Sequence, residues 1–399
     1  MATDMEVLIP ADIRFPLERA NGVQILKTAA ALARGGTPTT LFVRQTDPRP
    51  TEEILALYGL VPDPALVVRR LPVLHRQGAF TLPRATFLAR TVAAAMGARR
   101  GAVIYTRDLQ LADLLLGLGP VAPGPVVYEA HAVESVMYAE RGTLYGTGEA
   151  PNPRKTRRLA KREMRVWRRA AGFIATTAGI RDSFVEAHGP RERLRVIPNG
   201  CDVPDGRTFA GLASGEPPRV VYAGQLYPWK GVDVLVEAMA HVPEARLVIV
   251  GGIDGESDTL RVRALAESAG LGGRVDMAGT VPQAQVAAAL GSAAVVAVPF
   301  LYTAMSERHT SPIKAFEAMA AGRPIVASDL PSTREFLRHD ENALLVPPGD
   351  PAALGAAIRR LLQSPELALH IARTAYEEAP RFSWDARAGA VRELLDEVR

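Results

Sequence analysis

Cysteine is almost absent from this sequence, which has 399 residues and a single cysteine, Cys201. One cysteine excludes a disulfide framework and a zinc site built from several thiolates, and it is typical of a reducing compartment. Long apolar runs are missing too, since the longest, 286–301, contains Gly, Ser and Pro and falls short of the roughly 20 residues that span a bilayer. The apolar start MEVLIP is soon interrupted by Asp12 and Arg14, so we expect no signal peptide. We therefore expect a soluble, cytoplasmic protein.

Several motifs that carry chemistry are also missing. The sequence has no D-x-D triplet and no His, Cys and Asp set with metal-ligand spacing. We therefore expect no metal site. It has no P-loop, no G-x-S-x-G and no clean G-x-G-x-x-G after the first predicted strand. The last absence disfavours hydride transfer from a dinucleotide.

The composition is ordinary for a globular protein, with 48% hydrophobic and 23% charged residues, values that indicate sizeable cores. At roughly 100–200 residues per domain, the length suggests two domains, or three. Charge is unevenly placed, because residues 1–200 hold 28 Lys and Arg against 18 Asp and Glu, whereas 201–399 hold 19 against 25. A basic half followed by an acidic half is best explained by two domains with different partners.

A short apolar run, a turn and a segment of helical period alternate along both halves. Runs that are apolar almost throughout, such as RLVIV and AVVAV, indicate strands buried on both faces, as in parallel sheets. This alternation predicts right-handed crossovers and doubly wound sheets. The predicted strands are 6–9, 39–43, 102–105, 126–129, 173–176, 194–197, 219–223, 246–250, 275–277, 295–298, 324–327 and 343–346. The predicted helices are 23–34, 84–98, 109–116, 155–169, 180–188, 232–240, 260–269, 283–290, 313–321, 352–362 and 384–398.

We predict an α/β protein of two Rossmann-like, doubly wound domains that face each other across a cleft. The N-terminal domain covers 1–202 and is followed by a Pro- and Gly-rich linker, 203–218. The second domain covers 219–380, and the C-terminal helix in 381–399 is a candidate to pack back on the first domain. Ligands of open α/β sheets bind at the carboxyl ends of the strands, so we expect the functional site in the cleft.

The segment TSPIKAFEAMAAGRPIVAS is the most informative one. Ser311 can cap a helix, and Pro312 suits its first turn. The N–H groups of Ile313 and Lys314 would then be free to bind an anion, and a diphosphate is the natural occupant. Glu317, one turn further along the face of Ile313, can accept hydrogen bonds from two ribose hydroxyls. A plain core helix with a surface glutamate is the alternative.

The segment VVYAGQLYPWKGVDVLVEAMA, 220–240, predicts a buried strand, a glycine turn, an exposed loop and a helix. Gly224 lets the backbone approach a ligand closely. Lys230, one of five lysines in the chain, stands just before the helix and can reach a phosphate as a point charge. A solvated lysine at a loop tip is the alternative.

Together and in this order, the two segments resemble the family 4 retaining glycosyltransferases of two-Rossmann (GT-B) architecture. The resemblance extends over nearly the whole chain and is specific as an ordered set. The further matching pieces are ANGVQILKTAAALARGG, ATTAGIRDSFVEAHGPRERLRVIPNGCDV with its IPNG turn, RLVIVGG, and GTVPQAQVAAALGSAAVVAVPF.

The resemblance implies roles in donor binding for the second half of the chain. Glu317 matches the second glutamate of the family's E-x7-E motif, which binds the ribose. Lys230 matches the lysine that neutralises the diphosphate. Ile313 and Lys314 lie where backbone N–H groups meet the phosphates.

Other implied roles are carried by shorter matches. Gly22 falls where the first loop approaches the phosphates, and Gly224 where the strand of the second half meets the donor. The loop from Gly279 to Val281 would lie near the base. His131, in YEAHAVES, matches a histidine beside the donor sugar, although a histidine after a buried strand is more often structural than catalytic.

Two positions depart from the family pattern. His309 stands where the first glutamate of E-x7-E belongs, and it changes sugar recognition or orientation because imidazole can donate as well as accept. Gln225 replaces the usual arginine, which removes a cation near the diphosphate. Glu307 is close, but two residues out of register. The expected catalytic residues are His131, Lys230 and His309.

The resemblance implies a retaining glycosyltransferase, a hexosyltransferase, that moves a sugar from a UDP- or GDP-linked diphospho-sugar to an acceptor hydroxyl. It implies no metal and no other cofactor. The acceptor is a sugar, a lipid-linked molecule or another small molecule. Two alternatives stay open: an epimerase or phosphorylase of the same fold, or an inactive nucleotide-sugar-binding subunit, which His309 and Gln225 would favour.

A strongly basic segment occupies 154–169, with nine Lys or Arg residues and one acid, Glu163. Leu159, Val166 and Trp167 fall on its apolar side. The helix could lie on an anionic membrane, which would place the protein at the inner face of the cell membrane. The alternative is a solvated helix whose apolar stripe packs on the sheet. We expect no nucleic-acid partner, because no aromatic-rich sheet or reader module accompanies the charge.

Overall fold

The computed structural model describes residues 5–17, 20–74, 82–97 and 101–399. This part of the chain packs as two compact units. The first unit is built from the described residues of Met1–Ser135, Arg154–Asn199 and Trp384–Arg399, and the second from Val136–Pro153 and Gly200–Ser383.

Three segments matter for the predicted domain organisation. Residues 136–153, which the sequence analysis assigns to the first domain, pack with the second unit. Residues 203–218, the predicted linker, also pack with the second unit. The C-terminal helix packs with the first unit, the arrangement for which the sequence analysis made it a candidate.

Within the described residues, seven parallel strands form the sheet of the first unit, in the order β3-β2-β1-β4-β5-β6-β7. These strands are β1 Val7–Phe15, β2 Thr39–Gln45, β3 Leu66–Leu71, β4 Val103–Thr106, β5 Val126–Ala130, β6 Gly172–Ala175 and β7 Leu194–Val196. The order reverses between β1 and β4, and such a switch point opens a crevice at the carboxyl ends of the strands.

The second unit lies entirely within the described ranges and has six parallel strands, in the order β10-β9-β8-β11-β12-β13. These strands are β8 Arg219–Ala223, β9 Arg246–Val250, β10 Val275–Gly279, β11 Val295–Val298, β12 Ile325–Ser328 and β13 Leu344–Val346. Its switch point lies between β8 and β11. Both sheets therefore have the doubly wound topology that the alternating pattern predicts.

Helices cover the faces of both sheets. In chain order, they are α1 Ala20–Arg34, α2 Thr51–Leu57, α3 Leu82–Met96, α4 Leu109–Gly117, α5 Glu134–Ala139, α6 Arg141–Leu144, α7 Pro153–Arg169, α8 Ala178–His188, α9 Val232–Ala238, α10 Ser257–Ser268, α11 Gln283–Gly291, α12 Ala304–Arg308, α13 Ile313–Ala320, α14 Pro331–Arg334, α15 Pro351–Gln363, α16 Pro365–Glu378 and α17 Trp384–Val398. None of them, in the described ranges, combines the length and the apolar composition that a bilayer crossing requires.

The apolar runs locate the strands that are buried on both faces to within one residue at each end. Every residue of β4, β5, β6, β11 and β12 is buried, as parallel strands between two helical layers require. The edge strand β3 alternates between half-buried and exposed positions. Its apolar run, 65–68, is short and is followed at once by two arginines, and the strand is missing from the prediction. The helices α2, α5, α6, α12, α14 and α16 were not predicted either. Residue 98, the predicted end of the helix over 84–98, lies outside the described residues.

Candidate functional site

The switch point of the second sheet places two loops side by side. After β8, the chain forms a 3-10 turn over Pro228–Lys230, and the Leu301 N–H, just beyond β11, donates to the Trp229 carbonyl at 2.9 Å. Gly231 has a φ of +70°, and a Cβ there would overlap the Pro299 carbonyl oxygen. Only glycine permits this close approach. The loop that carries Lys230 is thus fixed against the end of β11.

Lys230 lies in an aromatic environment and not beside an acid. Its Nζ is 3.8 Å from the centroid of the Trp229 ring and 4.6 Å from that of Phe300. Among the described residues it forms no ion pair, and burial lowers the pKa of its ammonium group to about 7. A partly desolvated cation whose burial is not compensated by a counter-ion in the described residues is suited to bind an anionic ligand.

The loop beside Lys230 is supported by the segment 136–153, which sequence analysis did not connect with it. Leu144 is buried in the same core cluster as Trp229. The rings of Tyr145 and Tyr227 meet edge-to-face, with centroids 5.0 Å apart. No sequence signal marks this contact, because the two segments lie far apart in the chain.

Helix α13 begins at Ile313, as the sequence predicts, but its N-cap residue differs from the predicted one. Pro312 is its N-cap residue, and no side chain caps it. Pro312, with extended backbone, therefore occupies the N-cap position that the sequence analysis gave to Ser311. The first N–H groups of an uncapped helix have no acceptor within the helix. The N–H groups of Ile313 and Lys314 thus lie in the first turn of α13, and their binding of an anion stays a prediction.

Glu317 is held from two sides. Gln283 Nε2 donates to its Oε1 at 2.6 Å, and Lys314 Nζ lies 2.7 Å from its Oε2. Lys314 thus contributes its side chain as well as its backbone, and Gln283, the first residue of α11, was missed by sequence reasoning. Its position in the sequence, shortly after the loop expected near the base, could have identified Gln283 as a candidate. These contacts orient the carboxylate at the start of α13.

His309 is buried at the end of α12. Its N–H donates to the Met305 carbonyl at 3.0 Å, whereas its Nδ1 is buried without a hydrogen-bond partner in the described part of the chain. Burial, followed by the charge of Arg308, lowers its pKa to about 4. The imidazole is therefore neutral at pH 7 and cannot replace the charge of the glutamate that the family motif has here.

The remaining predicted donor-binding residues lie at the carboxyl ends of β8 and β10. Gly224 follows β8 directly. The carbonyl of Gln225 accepts a hydrogen bond from the Tyr222 hydroxyl at 2.6 Å, which fixes the backbone of this turn. Gly279 ends β10, and Val281 packs against the core. In the described part of the chain, no hydrogen bond or ion pair joins Lys230 to Gln283, Lys314 or Glu317.

The predicted residues of the first half lie in the first unit. Gly22 is in the first turn of α1, where a Cβ would overlap the Leu17 carbonyl oxygen, so packing within the unit already requires a glycine. His131 follows β5, and its Nε2 contacts Glu129 Oε1. Burial, followed by the charge of Arg107, lowers the pKa of His131 to about 4.

The basic helix α7 buries its apolar stripe. Val166 and Trp167 are buried, and Leu159 packs against the same core cluster of the first unit. Glu163 accepts hydrogen bonds from the Ser135 N–H at 2.9 Å and from its hydroxyl at 2.6 Å, and so it caps α5. The apolar side of this helix thus belongs to the core, as in the second of the two alternatives for this segment.

Metal ligands are not clustered in the part of the chain that the structure describes, where no group of three or more His, Cys, Asp or Glu residues could hold an ion. The expectation of a reaction without metal stays a prediction.

Comparison with known families decides the classification. The model of the glycosyl transferases group 1 matches residues 207–378, and that of the glycosyl transferase 4-like domain matches residues 21–200. The chain belongs to the group 1 glycosyltransferases. The resemblance seen in the sequence is confirmed, and the matched ranges include Lys230, Glu317 and His131.

Curated relatives of this glycosyltransferase are named D-inositol 3-phosphate glycosyltransferases. The protein from Xylanimonas cellulosilytica is 31% identical over 283 residues, which cover 67% of this chain and 65% of that protein. The protein from Segniliparus rotundus is 28% identical over 391 residues, which cover 92% and 82%. The chain thus spans slightly less than two thirds of the first relative.

The fold is shared with solved glycosyltransferase structures. The crystal structure of Anabaena HepE in complex with UDP-glucose superimposes with a TM-score of 0.70 at 19% identity, covering 98% of this chain and 99% of that one. The predicted two-domain α/β GT-B fold is confirmed. Neither the family nor these relatives favour an epimerase, a phosphorylase or an inactive subunit.

Proposed function

We propose that this group 1 glycosyltransferase is a retaining, metal-independent enzyme that transfers a sugar from a UDP- or GDP-linked diphospho-sugar to an acceptor hydroxyl. The observation that carries the proposal is the ammonium of Lys230, which has no acidic partner among the described residues, at the switch point of the second sheet and in the same unit as the start of α13. Both are donors for an anion, and a sugar diphosphate is the anion that this family uses.

In the proposed reaction, the acceptor oxygen attacks the anomeric carbon from the face that the diphosphate leaves. The bond between the anomeric carbon and the diphosphate oxygen breaks, and the hydroxyl proton passes to the departing diphosphate. Lys230 and the N–H groups of Ile313 and Lys314 stabilise the charge that develops on this leaving group, which is usually the largest single contribution to catalysis. The product keeps the anomeric configuration of the donor.

The other site residues take part in recognition. Glu317, already oriented by Gln283 and Lys314, accepts hydrogen bonds from the ribose hydroxyls. The loop from Gly279 to Val281 is proposed to lie near the base, and neutral His309 near the donor sugar. The acceptor is a small hydroxylated molecule, and the names of the relatives bring inositol phosphate into the panel to be tested.

For α7, we propose a basic, solvated surface and not a helix inserted in lipid. Its apolar side chains are buried within the first unit, so that any contact with an anionic membrane would be electrostatic. Such a contact weakens as ionic strength rises, because exposed charges are screened.

A thermal-shift screen tests the proposed donor class. We expect one of UDP, GDP, ADP and TDP, together with its sugar conjugates, to raise the melting temperature, because a ligand that binds only the folded state stabilises it by mass action. Transfer to an acceptor panel that includes inositol phosphate is then followed by NMR of the anomeric proton of the product. No shift with any nucleotide, or a product of inverted configuration, would contradict the proposal.

The affinity for the nucleoside diphosphate that performs best in this screen is expected to fall as pH rises above about 7. Burial lowers the pKa of Lys230 to about 7 in the protein without ligand, and a bound diphosphate raises this pKa again. At any pH between the pKa of the free protein and that of the complex, binding therefore takes up a proton. The affinity should fall by up to about tenfold per pH unit, which isothermal calorimetry from pH 7 to 9 measures. Lys230→Arg should show a flat profile, since guanidinium stays protonated. An equal slope in both proteins would assign the titration to another group.

A further inference from the structure

The C-terminal helix α17 places a charged side chain inside the first unit. Arg387 is 3% exposed. Its Nε donates to Thr28 Oγ1 at 3.2 Å, its Nη1 donates to the Ile197 carbonyl at 2.9 Å, and its Nη2 donates to the Tyr105 hydroxyl at 3.2 Å. Nη2 also contacts Glu129 Oε2. The helix therefore supplies the counter-ion of a carboxylate on β5.

Glu129 is 1% exposed, and both of its oxygens are fully engaged. Oε1 accepts from Gln24 Nε2 at 2.8 Å and contacts His131 Nε2. Oε2 contacts the Tyr105 hydroxyl and Arg387. Burial by itself would raise the pKa of Glu129, but the charge of Arg387, followed by that of His131, outweighs it and holds the pKa well below its usual range. The carboxylate is therefore ionised.

An ionised carboxylate only accepts hydrogen bonds, so the Nε2 of His131 that touches it must carry the proton. The other ring nitrogen, Nδ1, has no partner among the described residues. Three charged groups act on this ring: Arg107 from the end of β4, Arg387 from α17 and Glu129 from β5. The first two oppose protonation of the ring and only Glu129 favours it. The free Nδ1 is consequently a lone-pair acceptor at neutral pH.

We propose that Arg387 is a positioning residue that acts through Glu129 and holds His131 as the neutral Nε2–H tautomer, whose Nδ1 accepts a hydrogen bond from a substrate hydroxyl. The catalytic part of this inference rests on the proposed function, since a sugar or acceptor hydroxyl is the donor that Nδ1 would meet. The direction of the hydrogen bond is the specific claim. A hydroxyl can donate to this histidine, whereas a group that only accepts cannot bind there.

Arg387 is distinguished from the other nearby cation by its contacts. Arg107 Nη1 donates to Gln24 Oε1 at 2.9 Å and does not touch the carboxylate in the described part of the chain. Without Arg387, the buried charge of Glu129 would have to be balanced by a proton, and His131 is in position to take it. The ring would then take up a proton at a higher pH than in the wild type, and the imidazolium would present a donor at Nδ1, so that the direction of its hydrogen bond to a substrate would reverse.

The chain offers a matched control on the same helix. Arg392 also ties α17 to the first unit, because its Nη1 donates to the carbonyl of Gly35, the residue after α1, at 2.8 Å, but it forms no hydrogen bond or ion pair with Glu129 among the described residues. Arg387→Met and Arg392→Met therefore remove the same group from the same helix, and only the first acts on the carboxylate.

The test is long-range proton–nitrogen NMR of the protein labelled with 15N-histidine, in which His131→Gln identifies the resonance. In the wild type and in Arg392→Met, we expect the Nε2–H tautomer, with protonation only in the acid range. In Arg387→Met, we expect the midpoint of His131 protonation to rise by about one pH unit or more, the size of shift that loss of a nearby cation produces. An Nδ1–H tautomer in the wild type, or equal titration in the two variants, would overturn the proposal.

Transfer kinetics separate a positioning role from a structural one. Arg387→Met is expected to lower kcat, while the calorimetric affinity for UDP or GDP, whose proposed binding residues lie in the second unit, stays at the wild-type value. Arg387→Lys, which keeps the charge, should restore part of the loss. If Arg387→Met shows the expected NMR shift but an unchanged kcat, the effect on the His131 tautomer stands and only the catalytic role is refuted. Failure of every nucleotide to bind would refute the proposed function and leave the NMR result standing.

A buried carboxylate that has lost its partner can unfold a protein, and Arg387→Met could fail for that reason. A second variant keeps the proposal testable in that case. Glu129→Gln combined with Arg387→Met removes both charges and leaves groups of similar shape. We expect this double variant to fold, by circular dichroism, and to lose the fixed Nε2–H tautomer of His131. An Nε2–H tautomer that persists in it would show that neither residue positions the ring.

Discussion

Lys230→Ala is expected to lower kcat/KM for sugar transfer by about 10²–10³-fold, the usual effect of removing one preorganised group that stabilises developing negative charge. The side chain is suited to this role because it lies over Trp229 and Phe300 and has no carboxylate partner in the ranges that the structure describes. Its charge is therefore not neutralised before the donor binds. Steady-state kinetics with the donor found in the thermal-shift screen measures the loss.

The fold should survive this substitution. Lys230 forms no ion pair within the described residues, and the backbone turn depends on Gly231 and on the hydrogen bond between Leu301 and Trp229. Circular dichroism and the melting temperature without ligand should thus remain close to those of the wild type. Lys161→Ala, an exposed lysine of α7, is the matched control and should retain full activity. Wild-type turnover by Lys230→Ala would show that the diphosphate site lies elsewhere.

Glu317→Ala is expected to lower kcat/KM by at least about 10²-fold, because two hydrogen bonds to a charged acceptor are lost and each contributes about 1.5–3 kcal/mol. The loss should appear mainly as weaker donor binding. The helix itself should persist, since α13 is anchored by the buried side chains of Phe316 and Met319. Calorimetry with the preferred nucleoside diphosphate measures the change in affinity.

A deoxynucleotide shows whether Glu317 acts on the ribose. Wild type should bind the 2′-deoxy form of the nucleotide more weakly than the ribonucleotide, whereas Glu317→Ala should bind both about equally. This comparison also separates a ribose contact from an indirect effect through Gln283 and Lys314, whose contacts with the carboxylate do not depend on the ligand. Full discrimination retained in Glu317→Ala would place the ribose away from this side chain.

The accuracy with which strands were predicted from the sequence depends on whether a strand is covered by helices on both faces or lies at the edge of its sheet. The strands β8, β9 and β11 were predicted at their observed bounds, because a strand that lies between two helical layers must be apolar along nearly its whole length. β3 was missed because its edge position leaves alternate side chains in solvent. The start of α13 was predicted at the observed residue, but its N-cap residue is Pro312 and not Ser311, since a serine before a proline is a typical N-cap pattern.

Periodicity, turn residues and motif order were enough to determine the α/β class, the two doubly wound sheets, the family and the positions of Lys230 and Glu317. Each of these is local, because it depends on which residues recur on one face of a helix or follow one strand. The partners of the site residues were decided by the tertiary structure. Glu129 and Arg387 are 258 residues apart in the chain, and Gln283 meets Glu317 across 34 residues. Crossover connections bring such groups together, and the burial that shifts their pKa values exists only once the chain has folded.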